Sequence, residues 1–250
     1  MKGKFVIYQM LPRVFGNTRG TSVPGGTLAD NGTGKFKDIT MSVLEEIRKL
    51  NVSYIWYTGI IRHATAGDPG VKGGAGSPFA ITDYYDVNPY LASKESNRMK
   101  EFEALIARTA DAGMGTIIDF VPNHVSPAYR STVNSFEENN LYPGHIHDWD
   151  WSDTVKLNYS DRDTWEKMKD ILLFWASKGV GGFRCDMVEL VPVDFWQWCI
   201  PAVKKVYPKL IFIGEAYEPA NYADLFEKGG FDYLYDKSGF YDTLKKVVRG

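Results

Sequence analysis

Six residues that could do chemistry together stand where short apolar runs end. In GVGGFRCDMVEL, the two-residue period of an extended chain puts Arg184 and Asp186 on one face and Phe183 and Cys185 on the other. A carboxylate with a guanidinium two residues earlier on the same face is held ionised, which suits a nucleophile. Spacing alone also admits a structural ion pair at a strand terminus. The run LIFIGEA ends in Glu215, one strand-helix unit further on. Two carboxylates at the ends of neighbouring parallel strands could sit about 5 Å apart, the separation a retaining glycosidase uses, whereas an inverting pair keeps roughly 6.5–9.5 Å for a water. A solvated strand end is the plainer reading of Glu215 alone. A further run, GTIIDFVPNHV, delivers Asp119, Asn123 and His124 to the same end.

These residues need a frame of parallel strands, and the pattern supplies one. Strands are predicted at Phe5 to Gln9, Ser53 to Tyr57, Gly115 to Val121, Gly181 to Asp186, Leu210 to Glu215 and Phe231 to Tyr235. Helical periodicity follows most of them. Asp38 to Leu50 carries Val43, Leu44, Ile47 and Leu50 on one face; Met99 to Ala112 carries Phe102, Leu105, Ile106 and Thr109. Asp163 to Ser177 carries Trp165, Met168, Ile171, Leu172 and Trp175. Two more helices are predicted at Pro192 to Tyr207 and Gly239 to Val248, with two turns between them at Asn221 to Lys228. Three long Gly-, Pro-, Asn- or Asp-rich stretches, Gly16 to Lys35, Arg62 to Pro89 and Ser126 to Asp161, read as irregular. Each follows a strand C-terminus, the side on which β/α barrels build their sites.

Composition narrows the function classes. With 29 Lys and Arg against 31 Asp and Glu, the chain has no basic field for a polyanion, so nucleic acid is not an expected partner. No apolar run approaches the roughly 20 residues of a membrane span, and the first residues lack a signal-peptide pattern, from which a cytoplasmic location is expected. Two cysteines, Cys185 and Cys199, are too few for a disulfide framework. Aromatic residues make up 14 % of the chain, a stock of flat faces for stacking on a ligand or for packing a core.

DFVPNH, GFRCD and GEA, in this order and spacing, resemble three signature regions of the α-amylase superfamily of retaining glycoside hydrolases. FVIYQMLPRVF and NVSYIWYTGI resemble that family's first two strands, and SPFAITDYYDVNPY the segment before its second helix. The resemblance implies an α/β fold, a (β/α)8 TIM barrel. Residues 1–250 would form about six of its units, incomplete at the C-terminal end, with an insertion over 126–161 after the third strand. It implies Asp186 as nucleophile, Glu215 as acid/base and Arg184 as the group that orients and charges the nucleophile. His124 matches a histidine that hydrogen-bonds a hydroxyl of the sugar being cleaved, and Asp83 an aspartate of the same subsite region, although Asp83 also fits a turn cap. Phe79 falls where the family commonly stacks a tyrosine on that sugar.

The implied reaction is retaining hydrolysis of α-glucosidic bonds in starch-like glucans or their oligosaccharides. Transglycosylation or isomerisation on the same residues is an alternative, as is a catalytically silent carbohydrate-binding protein. A metal-dependent hydrolase would need convergent ligands, and only His124 of the four histidines lies at a strand end. No cofactor is expected. Family members bind a structural calcium through the match of Asn123 and an aspartate in a later loop, but that loop reads VKLNY here, with Lys156 at the carboxylate position. HIHDWDWSD offers His145, His147, Asp148 and Asp150, a pattern better read as surface or substrate-facing than as a metal site. The family's third carboxylate, near a seventh strand, has no match, so residues 1–250 alone are expected to be inactive.

Overall fold

The computed structural model describes residues 4–249; residues 1–3 and 250, included in the single-domain expectation, lie outside the described residues. Among the described residues ten strands run in chain order: β1 (Ile7–Met10), β2 (Tyr54–Tyr57), β3 (Ile61–His63), β4 (Ile81–Val87), β5 (Gly115–Phe120), β6 (His124–Val125), β7 (Val155–Lys156), β8 (Gly182–Cys185), β9 (Ile211–Gly214) and β10 (Tyr233–Leu234). Six of them make one parallel sheet in the order β1-β2-β5-β8-β9-β10. Its connections carry the helices α1 (Leu28–Asn31), α2 (Met41–Arg48), α3 (Arg98–Asp111), α4 (Arg162–Ser177), α5 (Val193–Val206) and α6 (Tyr222–Glu227), and α7 (Asp242–Arg249) follows β10. The sheet is curled: the ring of Phe5, just ahead of β1, lies 5.2 Å from that of Tyr54 on β2 and 5.8 Å from that of Tyr233 on β10. This is part of a (β/α)8 barrel.

Alternation along the strands divides the buried residues into two sets. Phe120, Phe183, Cys185 and Phe212 point outward and join the large core under the helices, whereas Ile117, Ile211 and Ile213 form a separate inner cluster with Tyr54, Trp56, Tyr233 and Tyr235. Gly182 is required on the inner side. A Cβ there would meet Ile211 Cγ1 at 2.4 Å and Ile117 Cγ1 at 3.2 Å. The faces read from periodicity are the buried ones on α3 and α4. On α2 only Leu44 and Ile47 are buried, and Leu50 lies beyond the helix, exposed. Trp175 on α4 is fully buried and donates its indole N–H to the Tyr84 carbonyl at 2.8 Å. Trp175→Ala is therefore expected to lower stability by about 3–5 kcal/mol, read from the urea midpoint, since it opens a cavity and orphans that carbonyl.

Two of the stretches read as irregular contain strands. Within 62–89, β3 and β4 form an antiparallel hairpin, and β4 escapes notice because five of its seven residues are buried, so no polar alternation marks it. Within 126–161, β7 returns to pair with β6, aligning Lys156 with His124. The segment between them packs Tyr129, Phe136 and Leu141 against the main core. In the first stretch, α1 is a single turn held by a capping box between Thr27 and Asp30. The third stretch also holds a 3-10 turn at Glu138–Asn140 and a bridge between Leu141 and Leu157.

Candidate active site

Register brings the charged residues together. Parallel pairing of β5 with β8 sets Asp119 opposite Arg184, and each ladder runs one step past the strand end: Asp186 N–H donates to the Phe120 carbonyl at 2.8 Å, and Glu215 N–H to the Cys185 carbonyl at 2.9 Å. Asp186 and Glu215 thus end adjacent strands at the same edge. The Arg184 guanidinium lies between them, with one terminal nitrogen 2.5 Å from Asp186 Oδ1 and the other 2.5 Å from Glu215 Oε1. Asp119 Oδ1 is 3.6 Å from the first nitrogen and accepts from the Trp56 indole at 3.2 Å. All four charged side chains are buried.

One cation among three buried carboxyls cannot balance them, so the cluster is driven to retain a proton. Burial pushes Asp186 well above the usual carboxylate range; Arg184 pulls against this and Glu215 adds to it. Burial lifts Asp119 to about 6, against the pull of Arg184, Trp56 and the Gly59 amide. For Arg184 burial works against the charge, but Asp186, Tyr235, Glu215 and Asp119 outweigh it and hold the guanidinium above its usual value. Aromatic faces complete the enclosure: Trp56, Phe79 and Tyr235 rings lie 5.4, 5.4 and 5.6 Å from the guanidinium carbon.

A pocket of about 730 Å³ opens above this cluster. Phe79, His124, Arg184, Asp186 and Glu215 all line it. Asp83, expected to join them, does not. It lines a separate pocket of about 340 Å³ with Arg62, Asp68 and Arg130, and its carboxylate accepts from the Tyr85 amide at 3.0 Å. The reason is local: β4 buries Thr82 and Tyr84 on either side of it, and the residue stands opposite Arg62 on the hairpin rather than at the mouth of the sheet. The turn-capping reading of Asp83 is the one its contacts support.

Several wall residues were not singled out from the sequence. Met187 takes a left-handed backbone, φ +43°, and its N–H donates to Glu215 Oε2 at 3.0 Å, a strained turn at a cluster of charges. Tyr217, two residues past Glu215, donates its hydroxyl to Glu215 Oε1 at 2.5 Å. Trp56 and Tyr235 point inward by strand alternation, a signal the sequence does contain. Trp149 and Trp151 come from the HIHDWDWSD loop, with rings 4.6 Å apart, and Trp151 meets the His124 ring at 5.3 Å. Burial holds His124 at about 4, against the pull of Asp148 and Asp153, so the imidazole is neutral near pH 7.

The residues at the implied calcium position do not fit a hard cation. Lys156 Nζ lies 2.8 Å from Asp148 Oδ1, and Asn123 turns its amide nitrogen, not its oxygen, toward Asp148 Oδ2 at 2.8 Å. His145 pairs with Glu138 instead of joining His147 and Asp150. Among the described residues no group of three or more His, Cys, Asp or Glu is gathered to hold a metal, and no helix is long and apolar enough to cross a membrane.

The family model for the alpha amylase catalytic domain matches residues 9–155, more than half of the chain. The chain belongs to the alpha-amylase family. It is similar to alpha-amylase 3 of Dictyoglomus thermophilum, 25 % identical over 85 % of this chain and 43 % of that protein. It is also similar to the alpha-1,4-glucan:maltose-1-phosphate maltosyltransferase of Picrophilus torridus, 27 % identical over 81 % of this chain and 34 % of that one. Among solved structures, an alpha-amylase from Lactobacillus plantarum superposes with a TM-score of 0.78 at 28 % identity, covering 96 % of this chain and 54 % of that chain. The alpha-amylase family chain thus spans about a third to a half of the length of these relatives.

Proposed function

We propose that this alpha-amylase family chain carries a retaining site for α-glucosidic bonds in starch-like glucans or their oligosaccharides. The observation that carries the reading is the bridging of Asp186 and Glu215 by one guanidinium. Two carboxyls bonded to one guanidinium are held close together, as retention, which works at about 5–5.5 Å, requires. In the first step Asp186 Oδ attacks the anomeric carbon as the glycosidic C–O bond breaks, and Glu215 gives its proton to the leaving oxygen. In the second, Glu215 takes a proton from water, whose oxygen displaces Asp186 and releases the sugar.

The shared proton of the acidic cluster suits this division. Asp186 must be ionised to attack, and Arg184, touching it at 2.5 Å, favours that state once substrate displaces water. Neutral His124 and the ring of Phe79 both line the pocket where a sugar would sit. Transfer to a sugar or phosphate acceptor shares the first step, and the likeness to a maltosyltransferase supports testing for it.

The test is to trap the intermediate. The intact protein treated with a 5-fluoro-α-glucosyl fluoride is expected to gain one glycosyl mass on the peptide containing Asp186. Hydrolysis of a maltooligosaccharide should release sugar of retained α-configuration, seen by NMR at early times. Labelling elsewhere, or inverted product, removes the proposal; longer oligosaccharides among the products would assign transfer in place of hydrolysis.

A further inference from the structure

Lys156 stands where the family resemblance places a calcium-binding carboxylate, and its surroundings give it a task of its own. Its backbone is fixed on three sides: β7 aligns it with His124, its carbonyl accepts from the Tyr142 amide at 2.8 Å, and its amide donates to the Ile146 carbonyl at 2.8 Å. From that position the ammonium reaches Asp148 Oδ1 at 2.8 Å, with only 22 % of the lysine side chain and 19 % of the aspartate exposed. The other oxygen of Asp148 accepts from Asn123 at 2.8 Å, and the same Asn123 nitrogen is 3.2 Å from His124 Nδ1.

The orientation of Asn123 follows from this. Both oxygens of Asp148 are acceptors, so Asn123 must present its NH2 group, whereas holding a cation would need its carbonyl oxygen. The arrangement is complete with the ammonium in it. Asp148 is followed directly by Trp149, and Trp151 packs on His124 at 5.3 Å, so the pair ties the aromatic loop to the end of the sheet. Lys72 adds a second tether from the facing loop, donating to the Asp150 carbonyl at 2.9 Å and pairing with Asp153 at 3.3 Å.

We propose that Lys156 is a built-in replacement for a bound cation, a positioning residue whose ammonium anchors Asp148 and, through Asn123, His124, fixing Trp149 and Trp151 as a pocket wall without metal. A covalently attached charge cannot be chelated away. The wall is then independent of divalent ions. The proposal concerns the architecture of the wall and is tested without turnover, so its failure is distinct from failure of the catalytic reading.

Three measurements on the intact protein decide it. The melting temperature is expected to move by less than about 1 °C on adding millimolar calcium or EDTA, because a ligand that does not bind the native state cannot stabilise it. A calcium-dependent rise of several degrees overturns the proposal. Lys156→Met is expected to raise iodide quenching of Trp149 and Trp151 about twofold, taken as the difference from a chain with both tryptophans changed to phenylalanine, because the loop loses its anchor. Quenching unchanged from the parent overturns it. Lys156→Arg keeps the charge and is expected to keep the parent's quenching; an arginine variant as accessible as the methionine one shows that the charge does not hold the loop. Should Lys156→Met fail to fold, the calcium titration and the arginine variant still decide.

Discussion

Asparagine in place of Asp186 is expected to lower turnover of an aryl α-glucoside by about 10⁴-fold or more in the intact protein, with little change in substrate binding. The size follows from the role: an amide cannot form the glycosyl ester, so the double displacement has no first step. Binding survives because Phe79, His124, Tyr217 and the tryptophan wall remain. The substitution also removes one of three carboxyls crowding a single guanidinium, so thermal stability is expected to hold or rise. Loss of activity with retained melting temperature separates a chemical role from a structural one. A variant keeping a tenth of parent activity would mean that the nucleophile lies elsewhere.

In the proposed mechanism the same residue sets the acid side of the pH profile. Only the carboxylate attacks, and burial, reinforced by Glu215, raises the pH at which Asp186 ionises. Activity is therefore expected to fall, as pH decreases, at a pH above the ordinary aspartate value of about 3.9. Arg184→Lys should move that limb to still higher pH. A lysine cannot bond two carboxyls as a planar fork, so less of the burial cost is offset. A profile of kcat/KM against pH for the two proteins checks both statements.

Much of this site was legible because strand ends are governed by strong local rules. Alternation put Arg184 with Asp186 and away from Phe183 and Cys185, and the apolar run before Glu215 fixed its place at the next strand's end; the ladder contacts follow those rules. Asp83 shows the opposite case. Its segment was read as an irregular approach to the site, but β4 has neighbours on both faces, and a strand with Thr82 and Tyr84 buried and Asp83 turned aside leaves no simple period. Residues contributed by long loops were hidden for a related reason. Trp149 and Trp151 reach the pocket from a loop held by Asn123, Lys156 and Lys72, contacts that no local pattern announces.

Removal of Glu215 is expected to give a different signature from removal of Asp186, and the contrast is the sharper test of their division of labour. In Glu215→Ala, turnover of an oligosaccharide, whose leaving alkoxide needs a proton, should fall by about 10²–10⁴-fold. An aryl α-glucoside with a strongly acidic phenol needs no such help in its first step. Its glycosylation should be nearly unaffected, while water, now without a base, releases the intermediate slowly, so a burst of phenol followed by a slow steady state is expected. Azide needs no base; added to this variant it should restore steady-state turnover and yield the α-glycosyl azide, because the vacated side chain leaves space beside the anomeric carbon. Asp186→Asn should show neither burst nor azide rescue giving the α-product. The structure adds one complication that the experiment can read. Glu215 accepts bonds from Arg184, Tyr217 and the Met187 amide, so the alanine variant orphans three donors, whereas Glu215→Gln retains an acceptor oxygen for them. If glutamine matches alanine in oligosaccharide turnover but keeps the parent's melting temperature, the lost function is proton transfer rather than support of the pocket. If glutamine instead retains most activity, Glu215 is not the acid, and a proton donor must be sought among the other groups at the mouth.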